Sequence, residues 1–158
     1  MTTLRPFKCT DMLKFNNVNL DPLTETYGLS FYMQYLAHWP EYFQVAEAPN
    51  GDIMGYSKDT EKNWHGHVTA LSVAPMYRRL NLAATLMAHL EDISEKKKAY
   101  FVDLFVRVSN KVAISMYQAL GYIVYRTDAY DMRKALSRDV NKKSVIPLAN
   151  PVYPEDVE

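Results

Sequence analysis

His65, His67 and Thr69 alternate with other residues along Trp64–Val73, so an extended segment would present all three, with Leu71 and Val73, on one face. Imidazole and hydroxyl groups placed this way can donate hydrogen bonds to a carboxylate or a carboxamide. A histidine pair also invites a metal, but no further ligand cluster accompanies it, and no metal is expected. Directly afterwards comes Val73-Ala74-Pro75-Met76-Tyr77-Arg78-Arg79-Leu80-Asn81-Leu82-Ala83, which passes from that strand into a helix. Such a turn leaves backbone N–H groups without partners at a helix N-terminus, with the helix dipole behind them. That geometry suits a pyrophosphate, and Arg78 or Arg79 can add charge. Taken alone, the segment could equally be a plain turn carrying solvated arginines.

The flanking pattern predicts the elements that would hold these groups. Thr2 to Lys8 reads as a first strand, and Thr10 and Asp11 offer caps for a helix towards Asn19. Leu20 to Gly28 reads as a loop, and Ser30 caps a helix over Phe31–His38 that stops at Trp39-Pro40. Tyr42–Ala48 and Ile53–Ser57 flank Pro49-Asn50-Gly51-Asp52 as a hairpin, with Ser57 to Asn63 as a loop before the histidine strand. Leu82–Lys97 carries Leu82, Leu86, Leu90 and Ile93 on one stripe. Tyr100–Val108 is apolar nearly throughout, as a buried central strand should be. Ser109 caps a helix to Leu120 that Gly121 closes, and Tyr122–Arg126 and Ala129–Lys134 form a last hairpin. The order β-α-α-β-β-β-α-β-α-β-β implies an α/β fold, a mixed central sheet with helices on both faces. Residues 1–136 would make one domain and Ser137–Glu158 a C-terminal tail.

Composition narrows the classes. The chain has 158 residues, enough for one core, and 18 basic residues balance 18 acidic ones, so no charge surplus supports a nucleic-acid partner. Cys9 is the one cysteine, which fits a reducing compartment. Met1–Thr10 lacks the apolar core of a signal peptide, and no run reaches the ~18 apolar residues of a membrane span. A cytoplasmic protein with no membrane contact is expected.

Ser109–Tyr122 sharpens the reading, because Asn110, Ala113, Tyr117, Gly121 and Tyr122 fall at the spacing Asn-x-x-Ala-x-x-x-Tyr-x-x-x-Gly-Tyr. Together with Arg78–Ala83, this resembles the GNAT acetyltransferase superfamily, whose cofactor loop reads Arg/Gln-x-x-Gly-x-Gly/Ala. The likeness extends over nearly the whole chain to the catalytic subunits of N-terminal acetyltransferase B (NatB). It is carried by Leu23–Gly28, Trp64–Val73, Val102–Arg107 and Pro154-Glu155-Asp156. The resemblance implies the GNAT acyl-CoA N-acyltransferase fold and acetyl-coenzyme A as donor. It implies protein N-termini beginning Met-Asp, Met-Glu, Met-Asn or Met-Gln as acceptors, and a large auxiliary subunit as partner. It also assigns roles. Leu71 and Val73 would bind the acetyl and pantetheine groups, and Arg78, Arg79, Leu80, Asn81, Leu82 and Ala83 would cradle the pyrophosphate. Asn110 and Tyr117 would serve both catalysis and the cofactor, with Tyr117 protonating the departing thiolate. Glu25 and Tyr27 would line the peptide entrance, and His67 and Thr69 would touch the second substrate side chain.

The acceptor must be a neutral amine. With a pKa of ~7.8, an α-amine is roughly a quarter neutral near pH 7.4, against about 0.1% for lysine at ~10.4, so only a weak base or a water relay is needed. Two departures from the family pattern stand out. Asn81 replaces a glycine, a position asparagine can fill because it tolerates positive φ. Only Thr127 and Asp128 join the last two strands, where NatB subunits carry an extended hairpin with tyrosines; Tyr125 and Tyr130 remain nearby. The alternatives are a non-catalytic relative that occupies the auxiliary subunit, and an acetyltransferase for lysine or small-molecule amines. Tyr117 and Asn110 favour catalysis over the first. His67 and Thr69 favour N-termini over the second.

Overall fold

Period-two apolar patterning in the first half of the chain becomes an antiparallel meander. A computed structural model describes residues 1–19, 24, 26–62, 64–127 and 130–148. Strand β1 (Thr3–Pro6) pairs with β2 (Phe43–Glu47), β2 with β3 (Ile53–Lys62), and β3 with β4 (His65–Val73), all antiparallel. Helix α2 (Leu82–Lys96) then carries the chain to β5 (Phe101–Val106), which lies parallel to β4. After α3 (Lys111–Ala119), β6 (Ile123–Arg126) and β7 (Tyr130–Ala135) form a hairpin whose second strand pairs with β5. The sheet order is β1-β2-β3-β4-β5-β7-β6.

Neighbouring residues of β2 show how the layers divide. Val45 packs with Tyr32 and Tyr35 of α1 (Leu29–His38), whereas Ala46 packs with Leu82 of α2, so α1 and α2 cover opposite faces. Helices α2 and α3 share the second face, where Leu90, Leu104, Ile114, Tyr117 and Met132 form one core. Gly66 lets α2 approach, since a Cβ there would run into the Ser94 hydroxyl.

Four local expectations give way. The segment from Thr10 to Asn19 forms two 3₁₀ turns, Cys9–Leu13 and Asn16–Val18, instead of one helix. The Asp11 carboxylate accepts from the Lys8 amide at 2.7 Å and from both Arg5 terminal nitrogens, at 2.7 and 2.8 Å. It thereby ties this turn to β1. Helix α1 is capped by Gly28 in place of Ser30, and α3 by Asn110 in place of Ser109. The stretch Ser57 to Lys62 is no loop, because β3 runs on to Lys62, opposite His65, with Asn63 outside the described residues; its polar residues conceal a strand buried through Ser57, Lys58, Asp59 and Thr60. Lastly, β4 does not keep one face throughout. Lys58 opposes Ala70 and Asp59 opposes Val68, which leaves Thr69 as a bulge and reverses the alternation.

Residues 137–148 fold back onto the sheet. The Asp139 carboxylate accepts from the Lys143 and Ser144 amides, and the Leu148 amide donates to the Tyr125 carbonyl. Among the described residues, no helix is long and apolar enough to cross a membrane, and no group of three or more potential ligands could hold a metal.

Candidate active site

The site arises where two parallel strands part. β4 and β5 pair from His65/Phe101 to Val68/Leu104 and no further, although β4 runs to Val73 and β5 to Val106. A cleft of about 1080 Å³ opens between them, closed at one end by the turn before α2 and at the other by the start of α3. It is lined by His67, Thr69, Leu71, Val73, Arg78, Arg79, Asn81, Leu82, Ala83, Asn110, Tyr117 and Tyr27. These residues were singled out in the sequence, and the fold brings them together. Leu80 stands apart, with an exposed side chain that does not line the cleft. Glu25, like Leu23 and Pro154-Glu155-Asp156, lies outside the described residues, as does Asp128 of the last connection.

The bulge at Thr69 sorts the residues of β4 between two tasks. Val68 and Leu71 join the core under α2 and α3, and Val73 packs beside Leu82. Ala70 packs instead among the α1 aromatics, and the Thr69 hydroxyl lies 3.0 Å from the Tyr35 hydroxyl of α1. The expected single face of His67, Thr69, Leu71 and Val73 is therefore wrong beyond Thr69. Leu71 and Val73 belong to the α2 side and His67 and Thr69 to the α1 side, so one strand can serve two different ligands.

At the α2 end, the chain enters the helix through left-handed residues, Arg79 at φ 62° and Asn81 at φ 60°. Asn81 is the N-cap but makes no side-chain cap bond. Among the described residues, the amides of residues 79–84 donate to no backbone acceptor, and the first helical bond runs from the Thr85 amide to the Asn81 carbonyl. Free amides at a helix N-terminus beside two arginines form an anion cradle. An elongated molecule bearing a diphosphate fits it, with its arm laid along the unpaired edge of β4.

At the α3 end, Asn110 accepts from the Ala113 amide at 3.2 Å, so its first role is to cap the helix that carries Tyr117. Tyr117 is 8% exposed and packs against Tyr122 with ring centroids 5.8 Å apart. Burial pushes its hydroxyl up to about 12, so it stays protonated over the physiological range. That hydroxyl makes no hydrogen bond among the described residues, which leaves it free to donate to a group in the cleft.

Three contributors escaped the sequence reading. Asp103 holds His67, its carboxylate 2.7 Å from Nδ1. Tyr35 braces Thr69. Lys58 is buried behind Tyr27 with Nζ 3.7–4.8 Å from the ring centroids of Tyr27, Phe31, Tyr32 and Tyr35. Burial pushes its ammonium down to about 7, while the four ring faces act in the opposite direction. An acid inside the apolar run Tyr100–Val108 was the one visible signal for Asp103.

The acetyltransferase (GNAT) family profile matches residues 12–122. A curated relative, the N-terminal acetyltransferase B complex catalytic subunit NAA20 of Arabidopsis thaliana, is 58% identical over 172 aligned positions, covering 100% of this chain and 99% of its own. The chain belongs to the GNAT acetyltransferases, in the branch of NatB catalytic subunits. Two solved structures agree with this NatB assignment. Chaetomium thermophilum Naa20, in complex with a bisubstrate analogue, superposes with a TM-score of 0.93 at 39% identity over 98% of both chains. A NatB acetyltransferase complex bound to CoA and MES gives 0.79 at 41%, over 85% of this chain and 99% of that one. The GNAT fold expected from the sequence is thus borne out, as a seven-stranded mixed sheet. The 172 aligned positions exceed the 158 residues here, so the Arabidopsis relative carries insertions that this NatB-type chain lacks.

Proposed function

We propose that the chain transfers acetyl from acetyl-coenzyme A to the α-amine of protein N-termini beginning Met-Asp, Met-Glu, Met-Asn or Met-Gln, in complex with a large auxiliary subunit. The observation that carries this reading is the bulged strand β4, which turns Leu71 and Val73 to one side of a single cleft and His67 and Thr69 to the other. The donor would lie along β4 with its pyrophosphate on the amides of residues 79–84 and on Arg78 and Arg79. Its thioester supplies the activated acetyl group. The peptide would enter past Tyr27 and meet His67 and Thr69, whose ring nitrogen and hydroxyl suit a carboxylate or carboxamide. Tyr117 would hold its proton towards the sulfur, and Asn110 would fix the helix that aims it. The solved complex with CoA and the relative named as a complex subunit support the donor and the partner. A cytoplasmic location belongs to the same proposal and agrees with a free, exposed Cys9. Asn81, which already occupies the left-handed conformation that glycine would favour, keeps the cradle geometry in place.

Competition among Met-Asp, Met-Asn and Met-Leu peptides for limiting enzyme tests the reading, with and without an auxiliary subunit. Met-Asp and Met-Asn should win by roughly 10- to 100-fold, the worth of about 1–3 kcal/mol for pairing an otherwise unsatisfied polar group. Equal use of all three would overturn it.

A further inference from the structure

The buried carboxylate of Asp103 lies beside the specificity face of the cleft. It sits on β5 opposite His67, in the next-to-last pair before β4 and β5 part. Its Oδ1 is 2.7 Å from His67 Nδ1, and its Oδ2 is 3.5 Å from His65 Nε2. His65 is stacked on Phe101 with rings 4.7 Å apart and 5° from parallel, so Asp103 is gripped on that side as well. The His67 ring rests against Phe105 of β5, its centroid 5.3 Å away, and lines the cleft.

A carboxylate can only accept, so Nδ1 of His67 must carry a proton. Nε2 is then left for a ligand, and its character depends on charge. In the neutral ring Nε2 accepts, which suits the NH₂ of an amide side chain. In the imidazolium it donates, which suits a carboxylate. We infer that Asp103 is a positioning residue that fixes the tautomer of His67, holding a proton on Nδ1 so that Nε2 is the nitrogen left for the second substrate residue. This rests on the reading of His67 as the contact to the second substrate residue. Among the described residues, charged and titratable groups packed around this face are engaged. Arg133 of β7, opposite Asp103, is paired with Asp131 at 3.0 Å; Lys58 of β3 is enclosed by the rings of Tyr27 and α1; and the Tyr35 hydroxyl is bonded to Thr69.

The test is kcat/KM for Met-Asp and Met-Asn peptides relative to Met-Leu, measured in one pot at one pH. All three begin with methionine, so ionisation of the α-amine and binding of the donor cancel. In Asp103→Ala the preference over Met-Leu should fall by about tenfold, the worth of one lost hydrogen-bond partner, and Asp103→Asn, whose amide oxygen can still accept from Nδ1, should recover most of it. An unchanged preference in Asp103→Ala would overturn the inference. So would an equal loss on all three peptides, which would make the Asp103–His67 pair a general base. If neither peptide beats Met-Leu, the reading of His67 itself fails and takes this inference with it. Should either variant not fold, nitrogen-15 NMR of the parent imidazoles decides, with His67→Ala as the assignment. At a pH where the ring is neutral its proton is expected on Nδ1, and a neutral ring with the proton on Nε2 would refute the role of Asp103.

Discussion

Replacing Tyr117 by phenylalanine isolates the cleft-lining hydroxyl that is proposed to face the donor sulfur. The ring packing against Tyr122 survives the change, and no hydrogen bond among the described residues is lost, so stability should move by no more than about 0.5 kcal/mol. The chemical cost follows from the phenol at about 12. A thiol resembling cysteine ionises near ~8.5, so complete proton transfer from Tyr117 to a free thiolate runs about 3.5 units uphill, or about 5 kcal/mol. In the proposed mechanism Tyr117 would therefore act chiefly as a hydrogen-bond donor to charge developing on sulfur, its proton passing only as the amine supplies another. A hydrogen bond to a charged group is worth about 1.5–3 kcal/mol, which is about 10- to 150-fold in rate. Thiol release from acetyl-coenzyme A with a saturating Met-Asp peptide should show kcat and kcat/KM falling together by that factor, because the bond strengthens only in the transition state. Donor affinity should be nearly unchanged. Activity within twofold of the parent would return Tyr117 to the ordinary core aromatics, and a loss beyond about 10⁴-fold would exceed what one hydrogen bond explains.

Asn81→Gly should keep the turn, change stability by only a few tenths of a kcal/mol, and tighten acetyl-coenzyme A severalfold by removing a side chain that lines the cradle; calorimetry showing weaker binding would mean that Asn81 touches the phosphates. Asn110→Ala should cost about 1 kcal/mol of stability through loss of the α3 cap, read as a lowered urea midpoint, and an unchanged midpoint would remove its capping role. Lys58 is held neutral more readily in the folded than in the unfolded chain. Its destabilising effect is therefore complete below about pH 7 and is relieved as pH rises towards ~10.4, where the unfolded lysine also deprotonates. Relative to Lys58→Met, the parent should gain about 2–4 kcal/mol between pH 7 and pH 10, after allowing for the ring contacts, and parallel stability curves would contradict this.

The parts of the site that local chemistry governs were legible from the residues alone. Pro75, Asn81 and the apolar stripe of α2 announce a strand, a left-handed turn and a helix start in order, and each lies where expected. Helix α3 was equally plain, although its cap moved from Ser109 to Asn110 because both are good caps one residue apart. Features set by pairing between distant segments were hidden. The Thr69 bulge depends on how β3 aligns with β4, and nothing near Thr69 marks the extra residue. Lys58-Asp59-Thr60 looks like a solvated loop until rings of Tyr27 and α1 enclose the lysine. Asp103 gains its meaning from His67, 36 positions away.

The central claim is that the cleft presents an α-amine, and no other amine, to acetyl-coenzyme A. A single Met-Asp peptide with an internal lysine puts both amines on one molecule. Near pH 7.4 the α-amine has roughly a 300-fold larger neutral fraction, and the walls formed by His67, Thr69 and Tyr27 should add to that advantage. Tandem mass spectrometry of the product, formed with this chain and an auxiliary subunit, should locate one acetyl group on the terminal methionine. Acetylation of the lysine at a comparable rate, or none at either amine, would contradict the account.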